Sequence, residues 1–330
     1  MENERKELLN FKDRNLTEFP REILNHKEVK ILNLDNNRIA EIPEWIGELT
    51  NLETIYLNNN CLTNFEGLLN LPSLVILHLT KNKIEFIPKE INRLKNLKRL
   101  FVNENLIEEI PDELTELTLM EQLYVAINRI REIPNDIGNL RNLQGLNFFD
   151  NELETLPDSI GNLDRLNYLE LSCNNIWKLP SSIKNLKMLT NLDIYSNQLV
   201  ELDPSLAELE HLKDLNVGDN VIERIENIPA SVMRLSIYLN PINFISPEIL
   251  SRLKKEMTDR YMSFLFVDKD QASLLGLEKE EFGKALKIID IESGMINLWD
   301  YQHVPTEFQQ RFGLKKESRF TVESENKNSK

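Results

Sequence analysis

The chain has 330 residues, a formal charge of −15 at pH 7 and an isoelectric point near 4.9. This acidic balance argues against binding of nucleic acid or of anionic membrane surfaces, both of which attract basic proteins. No apolar run reaches the roughly 20 residues that a membrane-spanning helix needs, so membrane insertion is not expected. Proteins, peptides and small polar ligands remain as partner classes.

The predicted elements along the chain are copies of one apolar pattern. The copy at residues 166–180 reads L-x-x-L-x-L-x-x-N-x-I-x-x-L-P. Successive copies lie 23 residues apart, except for one interval of 22 and a last one of 20, and the first copy has Arg14 in place of Asn. A fixed period of this length indicates a solenoid of stacked units. The asparagines are Asn37, Asn60, Asn82, Asn105, Asn128, Asn151, Asn174, Asn197, Asn220 and Asn240.

Two local patterns alternate within each copy. The apolar-x-apolar step has period two, which predicts a short strand with two side chains facing the core. The segment that follows, such as Pro134-x-x-Ile137-x-x-Leu140, has apolar residues three apart and predicts a helical or 3₁₀ turn. Where the chain leaves the strand, a buried Asn side chain can replace the lost backbone hydrogen-bond partners, because an amide both donates and accepts.

This pattern resembles the 23-residue form of the leucine-rich repeat family, over roughly residues 7–265. The resemblance implies an α/β fold: a right-handed, horseshoe-shaped solenoid with a parallel β-sheet on its concave face and short helical or 3₁₀ turns on its convex face. It also implies that the asparagines stack into a ladder and that a helical cap follows the last repeat. Residues 1–245 are then an array of about 11 repeats, 246–314 a C-terminal helical cap and flank, and 315–330 a disordered tail.

Helices are predicted after the last repeat. Ser246 followed by Pro247 matches a helix start, and the apolar residues that follow at spacings of three and four predict one apolar helix face. Further helices are predicted over residues 274–289 and 306–312. The face of the first helix consists of Leu250, Leu253, Met257, Tyr261, Phe264 and Leu265.

Residues suited to catalysis or metal binding are sparse. The sequence has neither common Gly-rich phosphate-loop motif, and its four histidines have no partner at metal-ligand spacing. Cys61 and Cys173 lie in different repeats, too far apart for a disulfide, and are interpreted as free thiols in a reducing compartment. We therefore expect no enzymatic activity, cofactor or metal. Because the N-terminus lacks the apolar segment of a secretory signal, we expect a cytoplasmic location, with export by another route as the alternative.

The outward-facing positions of the strands carry the functional hypothesis. Residues on either side of each strand's second inward leucine face the concave surface. Six of these 22 positions are aromatic, whereas the chain-wide 7% predicts one or two. Aromatic residues favour strands in any case, but a cluster with a polar rim is more typical of a binding site. The predicted partner-binding residues are Tyr56, His78, Phe101, Tyr124, Phe149, Glu170, Asp193 and Tyr195.

The sequence thus predicts a non-enzymatic scaffold that binds a protein or peptide on its concave face. Acidic segments such as Glu108-Glu109 favour a basic partner. Two alternatives stay open. In the first, residues 267–330 carry or target an enzymatic activity, as in effector ligases that join such repeats to a catalytic cysteine domain, although no cysteine follows Cys173. In the second, the protein is a secreted or surface adhesin that uses the same face.

Overall fold

A computed structural model describes residues 7–255, 264–277 and 286–289. The strands of these residues are β1 Leu8–Asn10, β2 Ile31–Asn33, β3 Thr54–Tyr56, β4 Ile76–His78, β5 Arg99–Phe101, β6 Gln122–Tyr124, β7 Gly145–Asn147, β8 Tyr168–Glu170, β9 Asn191–Asp193, β10 Asp214–Asn216, β11 Arg224–Ile225, β12 Arg234–Ser236, β13 Phe244–Ile245, β14 Phe264–Asp268 and β15 Leu286–Ile289. Strands β1 to β10, β12, β14 and β15 follow one another in a single parallel sheet. Strands β11 and β13 pair separately. The predicted parallel sheet is confirmed.

The turns opposite the sheet are 3₁₀ helices, as predicted. Most begin after a proline, whose fixed φ suits the extended residue that precedes the first turn. Among the helices of the described residues, none is both long and apolar enough to cross a bilayer. The 3₁₀ helices are Arg21–Asn25, Glu44–Glu48, Glu66–Asn70, Lys89–Arg93, Asp112–Glu116, Ile137–Asn139, Asp158–Asn162, Ser181–Asn185 and Pro204–Glu208, and the α-helices are α1 Pro247–Lys255 and α2 Lys269–Leu274.

The apolar side chains of all repeats form one continuous core between the sheet and the turns. In the repeat of β8, Leu169, Leu171, Ile176 and Ile183 are all fully buried. Each such side chain contributes about 2 kcal/mol when it leaves water, but only if the neighbouring repeats cover it. Stacking is therefore a condition of folding for every repeat.

The ladder asparagines join each repeat to the one before it. Asn174 Nδ2 donates to Leu171 O of its own turn at 2.9 Å and to Phe148 O of the preceding repeat at 2.9 Å, while its Oδ1 accepts from Leu153 N at 3.0 Å. The same set of bonds recurs along the ladder, from Asn37 to Asn240. The residue before each ladder position has a left-handed backbone, with φ between 52° and 61°. These bonds satisfy backbone groups that the sharp turn removes from the sheet.

The region after the last repeat departs from the predicted helices. Phe264 and Leu265, predicted on the face of the cap helix, belong to β14, which pairs with β12. Residues 286–289, predicted to be helical, form β15 beside β14. Both predictions were wrong because the open edge of β12 offers backbone partners to an added strand, and such pairing overrides local spacing.

The parallel sheet consequently continues past residue 245, the predicted end of the repeat array. The helical part of the cap is small, since α1 and α2 together have 15 residues, 9 and 6 respectively. The helix predicted over 306–312 and the tail predicted over 315–330 lie outside the described residues.

Gln271 extends the ladder beyond its last asparagine. Its Nε2 donates to Ile237 O at 3.0 Å and to Asn240 O at 2.7 Å, so it bonds the last turn as the next ladder residue would. Asp268 caps α2 by accepting from Gln271 N at 2.8 Å, and it also accepts from Leu239 N at 2.9 Å. The start of α2 thereby closes the end of the asparagine ladder.

Candidate functional site

Each repeat presents three outward side chains to the concave face, because side chains alternate along a strand. In the repeat of β8 these are Tyr168, Glu170 and Ser172. The partner-binding residues predicted from the sequence occupy only the last two of these positions. The first position is also recognisable in the sequence, since it lies two residues before the second, as Tyr168 does before Glu170. Its residues include Arg99, Gln122, Gly145, Tyr168, Asn191, Asp214 and Arg234.

Four aromatic residues in register on β3 to β6, Tyr56, His78, Phe101 and Tyr124, form what we call the aromatic column. His78 is stacked between Tyr56 and Phe101, with ring centroids 4.5 and 4.4 Å apart. The Phe101 and Tyr124 rings meet edge to face, with centroids 5.3 Å apart and planes at 82°. Because the first three rings cover one another, their edges are directed away from the stack and are available to a partner.

His78 is uncharged at neutral pH. Burial between the two rings, together with the smaller effect of the positive charge of Arg99, lowers the pKa of the imidazole to about 4. The aromatic column therefore forms a neutral, partly buried surface, and its histidine has no proton to release between pH 6 and 8.

Tyr124 links the aromatic column to the strands that follow. Its ring leans over Gly145 of the next repeat, where a Cβ atom would come within 2.9 Å of the Tyr124 hydroxyl oxygen. It also interacts electrostatically with Tyr168 on β8. A continuous surface thus runs from the aromatic column to β8 and β9.

Glu170 and Asp193, called here the acidic pair, are directly opposed on β8 and β9. Glu170 accepts from Tyr168 Oη at 3.1 Å and from Ser172 N at 3.0 Å, and the Ser172 hydroxyl also donates to it. Asp193 accepts from Tyr195 N at 3.0 Å and from Asn216 Nδ2 at 3.1 Å. These donors hold each carboxyl group in place in a partly buried polar setting.

Burial is the largest influence on the acidic pair, and the two negative charges repel each other. Together these effects raise the pKa of Glu170 to about 8, and burial raises the pKa of Asp193 to about 6. Burial and the nearby carboxylates also raise the pKa of Tyr168, so its phenol remains a proton donor.

The acidic pair also has a structural role that does not require charge. Each carboxyl group accepts a hydrogen bond from the backbone N–H two residues further on. In four other repeats an uncharged asparagine makes the same bond. Because Asn is sufficient for this bond, the negative charges of the acidic pair exceed what the fold needs. The four asparagines are Asn10, Asn33, Asn147 and Asn216.

Two of the predicted partner-binding residues contribute little accessible surface. Phe149 is 9% exposed and Tyr195 is 3% exposed. Tyr195 packs against Tyr238, with ring centroids 5.8 Å apart, and Cys173 lies beside this cluster. Burial and neighbouring carboxylates raise the pKa of the Cys173 thiol, which therefore stays protonated. The structure thus brings six of the eight predicted residues to the partly accessible surface of one face.

A second polar network adjoins the acidic pair. Asp214 on β10 accepts from Asn191 Nδ2 at 2.8 Å and forms an ion pair with Arg234 on β12. Arg234 is thereby engaged by a carboxylate other than those of the acidic pair. Among the described residues, no group of three or more His, Cys, Asp or Glu side chains is arranged to hold a metal ion.

Comparisons with known proteins support the repeat assignment. The family profile described as Leucine rich repeat matches residues 27–84 and 72–130, and a second profile of the same description matches 165–186. Receptor-like protein 41 of Arabidopsis thaliana is 34% identical over 62 residues, which is 18% of this chain and 7% of that protein. The chain therefore matches only a small part of the length of that relative.

Two solved structures show the same fold. A plant peptide hormone receptor, RGFR1 in complex with RGF2, is 26% identical with a TM-score of 0.58, over 76% of this chain and 46% of that one. A chain of the octameric complex of Latrophilin 3, Unc5D and the leucine-rich repeats of FLRT2 is 22% identical with a TM-score of 0.66, over 86% of this chain and 89% of that one. The 23-residue period, the asparagine ladder and these matches agree: the chain is a leucine-rich repeat protein.

Proposed function

We propose that this protein is a non-enzymatic interaction scaffold whose concave face binds a protein or peptide with a basic side chain. The edges of the aromatic column would contact apolar parts of the partner. The acidic pair would receive its Lys or Arg group. Surfaces that combine aromatic side chains with a polar rim are typical of protein-binding sites.

The observation that carries this proposal is the excess charge of the acidic pair. Asn147 and Asn216 make the same backbone bond without charge, whereas Glu170 and Asp193 place two mutually repelling carboxyl groups side by side. Such an arrangement destabilises the free protein, and a bound cation would relieve it. Tyr168 donates to Glu170 and Tyr124 interacts with Tyr168, so both rings would contact the aliphatic stem of the same basic side chain.

The size of the concave face also favours a macromolecular partner. Thirteen strands at about 4.8 Å spacing give a sheet roughly 60 Å long, which suits a protein surface or an extended peptide better than a small molecule. The similar plant receptor is in complex with RGF2, which supports a peptide partner. The cytoplasmic location expected from the sequence remains a separate proposal, to be tested by cell fractionation.

Peptide selection on the immobilised full-length chain tests the proposal. We expect selected peptides to be enriched in Lys or Arg, and to bind Asp193→Asn and Tyr124→Ser about tenfold more weakly, because one charge or one ring is lost. Trp177→Ser is the matched control, since Trp177 is 51% exposed but follows the ladder turn, outside the strand columns. Peptides that bind all these variants equally, or that lose binding with Trp177→Ser alone, would contradict the concave-face assignment.

A further inference from the structure

The acidic pair can carry one negative charge or two, and its surroundings favour neither state strongly. Glu170 and Asp193 are register partners on adjacent parallel strands, whose backbones lie about 4.8 Å apart. Their backbones cannot separate without breaking the sheet, and the hydrogen bonds described above hold both carboxyl groups on the same face. Two carboxyl groups constrained in this way favour a state in which one of them is protonated.

The charged and titratable groups around the pair do not neutralise it. Tyr168 and Ser172 on the Glu170 side, and Asn216 on the Asp193 side, are uncharged donors. On the preceding strand, Gly145 and Asn147 carry no charge.

Other groups near the pair carry negative charge, are neutral, or belong to the Asp214–Arg234 ion pair. Asp150 and Cys173 lie at the adjoining ladder turns, Tyr124 approaches from β6, and Asp214 on β10 is paired with Arg234. Beneath the pair, the inward residues of the two strands, Leu169 and Leu192, are apolar. Among the described residues of β7 to β10 and β12, the outward positions thus hold three carboxyl groups and one arginine, which is committed to Asp214.

We propose that Glu170 and Asp193 act as a proton-sensitive gate: the pair binds a cationic group of the partner only after it releases a shared proton. This inference rests on the proposed function. With the proton in place the pair carries one negative charge, and after its release the pair carries two. The upward shift of both pKa values, caused by burial and, for Glu170, also by the negative charge of Asp193, places this change around neutral pH. A Lys or Arg group of the partner then competes with the proton for the same two carboxyl groups.

The linkage between proton and partner fixes the direction of the effect. If binding releases one proton, affinity increases as pH rises. The increase is up to about tenfold for each pH unit, until the pH reaches the point at which the free pair loses that proton. Above that point affinity becomes independent of pH. In Asp193→Asn the backbone bond is kept but the repulsion is removed, so affinity is lower and the midpoint of its dependence on pH moves down by about one unit.

A carbon-detected NMR titration of the free full-length protein tests the gate without any partner. We expect the Glu170 carboxyl carbon to titrate above about pH 6, and to move down by about one unit or more in Asp193→Asn. Glu210 is exposed and serves as the internal reference. Titration of Glu170 and Asp193 at or below about pH 5 would overturn the gate, whether or not peptides bind.

Binding measurements then separate the gate from the proposed function. The probe is an arginine-containing nonapeptide obtained by the selection above, measured by calorimetry between about pH 5.5 and about pH 8.5 in two buffers of different ionisation enthalpy. Proton release on binding to wild type, with a midpoint about one pH unit lower for Asp193→Asn, supports the gate. Tight binding without proton release overturns the gate but leaves the proposed function standing. Absence of any concave-face peptide overturns the proposed function and, with it, the gate.

Discussion

The ring of Tyr124 occupies the space that a side chain on Gly145 would fill. A Cβ atom at residue 145 would lie 2.9 Å from the Tyr124 hydroxyl oxygen and 3.1 Å from its Cε1. We expect Gly145→Ala to displace the ring while changing the free energy of unfolding by less than about 1 kcal/mol, because the atoms that must move are at the end of a side chain. Affinity for concave-face peptides should fall, as measured by calorimetry.

The control for this substitution is Gly47→Ala. A Cβ atom at residue 47 would meet only Asn70 Cβ at 3.5 Å, an ordinary contact. Unchanged affinity in Gly145→Ala would show that the position of the Tyr124 ring does not matter for binding.

The ladder makes a strong prediction about stability. Asn174→Ala removes one acceptor and one donor group that serve Leu153 N, Phe148 O and Leu171 O in a buried turn. We expect a loss of about 2 to 4 kcal/mol in the free energy of unfolding by urea, since several buried backbone groups lose partners. Asn175→Ala, at the exposed neighbouring residue, should change stability by less than about 0.5 kcal/mol. Equal effects of the two substitutions would contradict the ladder's role.

The acidic pair predicts an unusual dependence of stability on pH. The folded pKa values of Glu170 and Asp193 lie above the unfolded values, so the folded chain binds more protons and stability falls as pH rises from about 4 to about 8. Glu170→Gln should flatten this slope and stabilise the protein by about 1 to 3 kcal/mol at pH 8, measured by urea unfolding. A slope unchanged by Glu170→Gln would contradict this prediction.

His78 affects the pH dependence of stability in the opposite direction, and its effect can be separated from that of the acidic pair. Its folded pKa lies below the unfolded value, so its contribution to stability is present above about pH 6.5 and is lost as pH falls toward 4. His78→Phe should remove that acid-side loss while preserving the stack with Tyr56 and Phe101, and should leave the slope near pH 8 unchanged.

Ile127 occupies a strained backbone position. It precedes ladder residue Asn128 with φ at 55°, a left-handed conformation that a β-branched residue adopts only at a cost of about 1 to 2 kcal/mol. The equivalent residues in other repeats include Asn36, Asn59 and Asp150, which tolerate this conformation better. Ile127→Asn should therefore raise the thermal midpoint, whereas Ile127→Val should not. A lower midpoint for Ile127→Asn would show that the apolar contacts of Ile127 outweigh the strain.

Gln271 predicts a stabilising role for the segment after the last repeat. Gln271→Ala removes the side-chain donor to Asn240 O and one of the two donors to Ile237 O, and we expect a loss of about 1 to 3 kcal/mol in the free energy of unfolding. Ser273→Ala, at an exposed residue of the same helix, is the control. Hydrogen exchange should localise the effect to the last repeats, because contacts in a solenoid are made between neighbours. Undiminished protection of Leu239 N and Asn240 N would contradict this closing role.

The repeat pattern was sufficient to predict the array, because each inward leucine must be buried and each ladder position must serve a turn. Leu169, Leu171 and Asn174 occupy the places that the pattern assigns to them. The run Phe264 to Val267 was different, since a short apolar run fits a helix face and a strand equally well. Its structure depends on the open edge of β12, which lies about 30 residues away in the sequence.

The concave site was predictable only in part, for a similar reason. Alternation placed the aromatic column and the acidic pair on one face, but it said nothing of how deeply Phe149 and Tyr195 are buried. The lean of Tyr124 depends on the missing side chain of Gly145, and this relation appears only once the strands are in register. The contribution of Tyr168 to the acidic pair depends on the same register.

The hydrogen bonds of the ladder run from each repeat to the repeat before it, and this sets the order in which repeats are completed during chain synthesis. Each ladder side chain bonds backbone groups of the repeat on its N-terminal side, as Asn174 does with Phe148 and Leu153. A repeat that has left the ribosome is therefore completed only when the following repeat arrives, about 23 residues later. Growth proceeds with one unfinished unit always at the ribosomal end, and Gln271 completes the last ladder turn.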